Sequence, residues 1–374
     1  MKKSTIFLTI MKHLITSDDL ERILKEYAYV DTARKFTVSA LLDFLAIASI
    51  NQWKSFRHGA DVAHSHGLAS CDYSTVSKKA SDVPFEIIKE LFTLIISRCN
   101  RKMRRTIDFP KELLLVDSTT ITVGKNRLLW APYHGNRSGV KLHTALKLSS
   151  NMPQKVIETT GLKHDSPLLE ELVDSNCIVI ADRAYFQIDR SDLFVKEKQS
   201  FVIRIKNNVE LFHKKSLKRL ANKESTIVSD FTCQLGTVQK RSKLRHRVVE
   251  FADYEGKIIR VVTNLHNVTA ETIAVMYKAR WGVELFFRWI KQNLNVSRLF
   301  GTTKNAVFNQ LFVALISYVI LNFFYSWTKK NVKTQGVSLI SFTRRLFAGT
   351  FSPEWQIAIR QFFHRHFSTQ NSWI

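Results

Sequence analysis

Apolar positions recur at helical spacing from residue 17 to about residue 100, most continuously over residues 38–50, and this part of the chain reads as consecutive helices. Ser17 is expected as an N-cap ahead of Asp18 and Asp19, since a short oxygen-bearing side chain satisfies the free amides of a first turn. Residues 56–66, a turn-like stretch 67–72 and the segment from Ser74 onward have the rhythm of a helix, a turn and a second helix. Ser74, Thr75, Ser77, Lys78 and Lys79 then fall at the start of that second helix. There they either cap an ordinary helix or meet phosphates and base edges.

The rhythm changes after the basic run Arg101, Lys102, Arg104 and Arg105, which reads as a linker. Short β-like runs follow at residues 113–116, 119–123, 141–148, 155–162, 178–181 and 201–205, with a helical piece near 167–173, so the middle of the chain is expected to be an α/β unit. Further strands are expected at 227–235, 245–251 and 257–262, joined by a basic turn at 240–243. After Asn264 the pattern is helical to the end. Residues 311–327 are almost uniformly apolar, but they are short for a membrane span and carry Ser317, Tyr318 and Asn322, so a helix buried in a large core is expected and no membrane span.

Composition narrows this picture. In 374 residues, 56 Lys and Arg stand against 32 Asp and Glu, a formal charge of +24, which points to a polyanion and most simply to nucleic acid. Between residues 204 and 247 there are twelve Lys or Arg and three Asp or Glu, either a solvated basic hairpin or a groove that tracks a phosphate backbone. Cys71, Cys99, Cys177 and Cys233 are far apart and form no CxxC pair, which argues against a disulfide framework and against a zinc knuckle. The apolar run after Lys2 and Lys3 is broken by Lys12 and His13, so no export signal is expected.

Candidate chemistry lies in the acidic minority. Asp117 follows the apolar run 113–116 and Asp182 follows 178–181, so each is expected at the end of a buried strand. Two such strands in one sheet would bring both carboxylates to the sheet end where ligands bind in open α/β folds. A third acid comes from the segment Tyr277, Arg280, Glu284, Arg288, Lys291, read as one helix on which all five fall within an arc of about 80°. That stripe is either a solvated ladder of i,i+4 pairs or an acid held among cations at the edge of the core. Three converging carboxylates suit a two-metal phosphoryl-transfer site, with Mg²⁺ as the hard cation that takes oxygen ligands.

The spacing Tyr277, Arg280, Glu284, Lys291 resembles the Tyr-Arg-Glu-Lys signature of bacterial insertion-sequence transposases in the family named after insertion sequence four. The likeness extends to Asp117-Ser118, to the run from Gly139 through Val140, Lys141 and Leu142 to His143, and to Asp182-Arg183-Ala184-Tyr185, where the family often has Gly in place of Ala184. It covers about residues 30 to 330.

The resemblance implies an RNase-H-like catalytic core with a β-rich insertion, preceded by an all-helical N-terminal domain and followed by C-terminal helices. Along this chain that gives a helical DNA-binding domain at 1–105, the core at 106–206 and 265–330, the basic insertion at 207–264 and a helical region at 331–374. It implies Asp117, Asp182 and Glu284 as the catalytic triad, holding two Mg²⁺ ions for which Mn²⁺ can substitute, and Tyr277, Arg280 and Lys291 as contacts to DNA phosphates. The implied activity is cut-and-paste transposition on double-stranded DNA, with strand cleavage at terminal inverted repeats, a hairpin intermediate and strand transfer to a target. A homodimer in a synaptic complex and a cytoplasmic, nucleoid-associated location are implied with it; a non-catalytic DNA-binding repressor is the competing reading. Relatives stack a Trp of the insertion on a flipped base; this chain has no Trp between Phe201 and Met276, leaving Phe231, Phe251 or Tyr254 as substitutes.

Overall fold

Residues 4–102, 108–217, 225–333 and 336–367 are described by a computed structural model. Arg104 and Arg105 of the basic run, the boundary at 105 and the cations Lys218, Arg219 and Lys223 lie outside the described residues.

Six helices come first: α1 (Ser4–Leu14), α2 (Ser17–Glu26), α3 (Val38–Ile50), α4 (Phe56–Val62), α5 (Tyr73–Asp82) and α6 (Phe85–Lys102). Strands β1 (Glu112–Gly124), β2 (Pro132–Tyr133), β3 (Arg137–Lys147) and β4 (Met152–Thr160) follow, then α7 (Leu169–Leu172), β5 (Cys177–Ala181), α8 (Ile188–Lys196) and β6 (Ser200–Arg204). Next come β7 (Leu211–Ser216), β8 (Ile227–Leu235), β9 (His246–Ala252) and β10 (Ile258–Thr263). The chain closes with α9 (Ala270–Lys278), α10 (Trp281–Asn293), α11 (Lys304–Lys330), α12 (Leu339–Ala348) and α13 (Pro353–Phe367).

These elements fall into two compact units, one of Met1–Arg104, Ile121–Gly139 and Arg288–Ile374, the other of Arg105–Thr120 and Val140–Phe287. The five segments expected from sequence follow changes of character along the chain, not compactness. Residues 331–374 supply α12 and α13, which pack on α11 in the first unit.

The first unit is organised around α11, which packs against α3, α5, α6, α12 and α13. Its apolar window is long enough to cross a bilayer, yet all of it is buried inside the protein. Two of its buried polar side chains are bonded within the unit: Asn309 Nδ2 donates to the carbonyls of Ala80 (3.0 Å) and Val83 (2.8 Å), and Gln310 joins Arg298 O and Phe300 N. A helix apolar on every side is stable in water only when wrapped in this way. At the amino end, the cap of α2 is Thr16 and not Ser17: Thr16 accepts from Asp19 N while Asp19 accepts from Thr16 N, a capping box set one residue earlier.

The second unit is built on a sheet in the order β3, β1, β5, β6, β10, β9, β8, β7, with β4 also paired to β3. β1, β5 and β6 are parallel; from β6 onward every pairing is antiparallel. β5 is an unbroken apolar run buried along its length, as a parallel strand covered on both faces requires. On one face Leu114, Val116, Val179, Ala181, Phe201 and Ile203 share a single cluster with α7, α8 and residues Phe231, Cys233, Leu235 and Val248 of the basic segment. The segment 207–264 therefore extends the sheet and its core. The alternate positions Leu113, Leu115, Ile178, Ile180 and Val202 point to the opposite face, and α9 packs against β5, β6, β8 and β9.

Candidate active site

Register fixes the first two carboxylates. The last pair between β1 and β5 is Val116 with Ala181, so Asp117 and Asp182 are the next residues along two neighbouring parallel strands. Asp182 keeps extended dihedrals (φ −82°, ψ 172°), so both side chains continue the alternation toward the face opposite the α7 and α8 cluster. The expected strand end at Asp117 is corrected: residues 113–116 and 119–123 belong to one strand, β1. Only the pairing with β5 stops there, because β5 is five residues long and turns into a 3₁₀ segment, Arg183–Tyr185.

The single helix expected to carry Tyr277 through Lys291 is corrected too. α9 ends at Lys278 and α10 begins at Trp281; the amides of Arg280, Gly282 and Val283 donate to the carbonyls of Tyr277, Ala279 and Arg280, in tight i→i+3 turns. Gly282 lies against β1, where a Cβ would come within 3.0 Å of Leu115 Cδ1. The absent side chain lets the first turn of α10 approach the strand that carries Asp117.

Arg280, at that junction, donates to Glu284 Oε1 at 2.6 Å and reaches Asp117 Oδ2 at 3.4 Å. Tyr277 donates to Asp182 Oδ1 at 3.2 Å. The side chains brought together within this unit are thus Asp117, Asp182, Glu284, Tyr277 and Arg280. Burial is the main reason that the Asp117 carboxyl is pushed up to about 6; the Ser118 amide and Arg280 oppose it, while Glu284 and Asp182 add to it. Burial beside Asp182 likewise pushes the Tyr277 hydroxyl up to about 12. Lys291 falls in the first unit, half-buried on α10, and burial draws its ammonium pKa down.

Two side chains at this site were not anticipated as site residues. Arg204 ends β6, and the pairing of Ala181 with Ile203 puts it in line with Asp182; its Nη1 stands 4.0 Å from Asp182 Oδ1. The parallel spacing of β5 and β6 would have revealed it. The other is Asp165, whose Oδ1 accepts from Ser118 Oγ at 2.8 Å and Lys141 Nζ at 3.2 Å and lies 3.2 Å from His143 Nδ1. These donors outweigh burial and hold the Asp165 carboxyl down at about 2. Lys141 and His143, read from the sequence as a motif, therefore meet on a carboxylate that buttresses the neighbour of Asp117. His143 is fully buried, with Nε2 2.9 Å from Thr159 Oγ1.

The remaining candidates divide between solvent and scaffold. Lys206, Lys214, Lys215, Lys240, Lys243 and Arg245 are exposed on the basic segment, whereas Arg247 is buried, clamped to Asp230 at 2.7 Å and donating to Leu265 O and Val268 O. Phe231 and Phe251 are packed in the core; Tyr254 is 94% exposed, between Asp253 and Glu255. On α5, Ser74, Thr75 and Lys78 are exposed, while Lys79 is bound to Asp31 (2.5 Å) and Tyr29 (3.2 Å). None of the four cysteines forms a disulfide.

Three carboxylates are the donor chemistry of a hard divalent cation, and a site in which Glu284 and Asp182 raise the pKa of Asp117 is one that positive charge would relieve. Among the described residues no three His, Cys, Asp or Glu side chains already stand close enough to enclose an ion. The guanidinium of Arg280 spans Asp117 and Glu284 instead.

Residues 108–320 match the family model of the transposase DDE domain. The chain is 54% identical, over 95% of its length and 94% of the relative's, to a probable transposase for insertion sequence element IS5377 of Geobacillus stearothermophilus. It is 28% identical to a putative transposase for insertion sequence element IS4SA of Synechocystis sp., over 67% of this chain and 71% of that one. A cryo-EM structure of the piggyBac transposase synaptic complex with hairpin DNA covers 97% of this chain and 84% of its own, at 14% identity and a TM-score of 0.48, a likeness too weak to carry an argument. On the match across residues 108–320 and the identity to the Geobacillus protein, this chain belongs to the DDE transposases of bacterial insertion sequences, enzymes that cleave and join DNA.

Proposed function

We propose that Asp117, Asp182 and Glu284 are the catalytic carboxylates of this transposase and hold its divalent cations, with Mg²⁺ as the physiological ion. The observation that carries the reading is the register of β1 and β5, which makes Asp117 and Asp182 neighbours on the face where Arg280 ties Glu284 to Asp117. The cations, when bound, polarise the phosphate and stabilise the charge that develops on the attacking and leaving oxygens.

The chain's own residues do the rest. Asp117 and Asp182 keep fixed spacing because both leave paired strands, and Asp165 immobilises Ser118 next to Asp117. Tyr277 orients the Asp182 carboxylate. Arg280 and Lys291 supply positive charge for the phosphates of the processed strand, and a guanidinium fork suits a phosphate's paired oxygens. The exposed lysines of the basic segment extend that field, and the exposed start of α5 meets the transposon end. In this reading the core is RNase-H-like, the chain works as a homodimer on two paired ends in the cytoplasm, and cleavage proceeds through a hairpin. Tyr254 is the aromatic of the basic segment with a face free to stack on a displaced base.

The test is cleavage of a duplex carrying the element's terminal repeat. Asp182→Ala is expected to abolish cleavage and retain binding; cleavage that survives it refutes the assignment. A wild-type chain that binds the repeat yet never nicks it in Mg²⁺ returns the repressor reading.

A further inference from the structure

The carboxylates of the proposed site already have a cation. Arg280 donates to Glu284 Oε1 at 2.6 Å and lies 3.4 Å from Asp117 Oδ2, with its side chain 16% exposed. Asp182 is served separately, by Tyr277 and Arg204. Arg280 is therefore the group that spans carboxylates from β1 and α10. Mg²⁺ takes such oxygens at about 2.0–2.1 Å in near-octahedral geometry. A guanidinium and a dication held by the same two carboxylates repel each other strongly in a partly buried site, so binding of one disfavours the other.

We infer that Arg280 is the resident counter-ion of the metal-free site, and that its release when a divalent cation binds hands it to a DNA phosphate, so that cation and phosphate bind cooperatively. This inference rests on the carboxylate assignment above. Arg280 occupies the turn between α9 and α10, and swinging its long side chain from carboxylate to phosphate is a rotamer change that leaves the backbone in place. Its charge is permanent and its planar fork matches two carboxylates or one phosphate equally well. By reciprocity, whatever factor the cation adds to phosphate affinity the phosphate adds to cation affinity. In the absence of DNA the ion pair protects the acids from a loosely held metal. Arg280 is a positioning residue in this role, since it acts on the cation through the carboxylates that it vacates.

Mn²⁺ binding to the full chain, followed by the electron paramagnetic resonance signal of the free ion, tests this with and without a short DNA duplex. Arg280→Ala and Arg280→Gln are expected to bind Mn²⁺ more tightly than wild type in the absence of DNA, by roughly 5- to 150-fold, the usual range of a coupling between two sites. They are also expected to lose the tightening that the duplex confers on wild type. Circular dichroism reports folding, and the Gln variant, which keeps a donor in place, serves where the Ala variant is unstable. Equal or weaker Mn²⁺ binding in a folded Arg280 variant overturns the inference. Glu284→Gln separates the two levels. If it leaves Mn²⁺ affinity unchanged in both the wild-type and Arg280→Gln backgrounds, the carboxylate assignment itself fails. If it abolishes binding while Arg280→Gln matches wild type, only the counter-ion role fails.

Discussion

Tyr277 donates its hydroxyl to Asp182 across 3.2 Å, so a residue near the end of α9 fixes the carboxylate that follows β5. The ring is held independently, edge-on to Phe251 with centroids 6.2 Å apart. Tyr277→Phe should therefore keep the packing and lose the hydroxyl's bonds to Asp182 and Arg204, at about 1.5–3 kcal/mol in thermal unfolding. Strand cleavage should slow by about tenfold, the kinetic equivalent of 1.4 kcal/mol. An unchanged cleavage rate would show that the hydroxyl does not orient Asp182.

Asp117 has the opposite balance, with a carboxyl raised to about 6 from the usual 3.8. A raised carboxylate favours the folded state below about pH 4, and that contribution is lost as pH rises through 6. Asp117→Asn should thus stabilise the metal-free protein at pH 8 by up to about 3 kcal/mol, and flatten its stability between pH 4 and 6. The same change should eliminate cleavage. Urea titrations at pH 4 and 8 read the first effect and a nicking assay the second.

Asp165 gives a contrary pH signature. Its carboxyl is held at about 2, so its contribution is complete above about pH 4 and disappears as pH falls toward 2. Asp165→Asn should cost about 1–3 kcal/mol at neutral pH, since Lys141 and the buried His143 lose a charged partner. The difference from wild type should shrink at pH 3. A constant difference across that range would assign the cost to packing.

Gly282 offers a steric test. An added Cβ would sit 3.0 Å from Leu115 Cδ1, the end of a side chain that can shift slightly. Gly282→Ala should be tolerated, helped by better helix propensity, whereas Gly282→Val should cost about 1–3 kcal/mol by overpacking. Because β1 and α10 carry Asp117 and Glu284, the Val variant should lose more cleavage than its melting temperature implies.

The basic segment should divide by exposure. Removing Lys214, Lys215, Lys240 or Lys243 should weaken DNA binding evenly across sequences and lower the slope of log K against log salt by about one for each lost phosphate contact. Arg247→Ala should instead unfold the segment, since Asp230 would be left buried without its partner. Salt titrations with circular dichroism distinguish the two classes.

Much of this was legible in the linear sequence because it depends on local chemistry. The apolar run of β5 marks a buried parallel strand, and the acid that follows it lies at the sheet end as expected. The wrapped helix α11 was legible as core because its few polar side chains can be satisfied by neighbouring carbonyls. What escaped depends on partners remote in sequence. Nothing local says that β1 continues past Asp117, since its length is set by the strands beside it. The break at Arg280 is invisible to a helical wheel that accommodates Tyr277 and Glu284 equally well. Arg204 and Asp165 look like ordinary surface charges until pairing brings one beside Asp182 and folding brings the other beneath Ser118.

The pairing of β6 with β10 gives synthesis a schedule. When the ribosome has extruded Arg204, β6 has a parallel neighbour on one side and nothing on the other until residues 258–263 emerge. A nascent chain in that interval carries an unpaired, apolar strand edge, the kind of edge that recruits strands from other molecules. Glu284 emerges later still. Early termination in that interval would therefore yield a fragment with an open sheet edge, inclined to aggregate and without Glu284, the partner of Arg280.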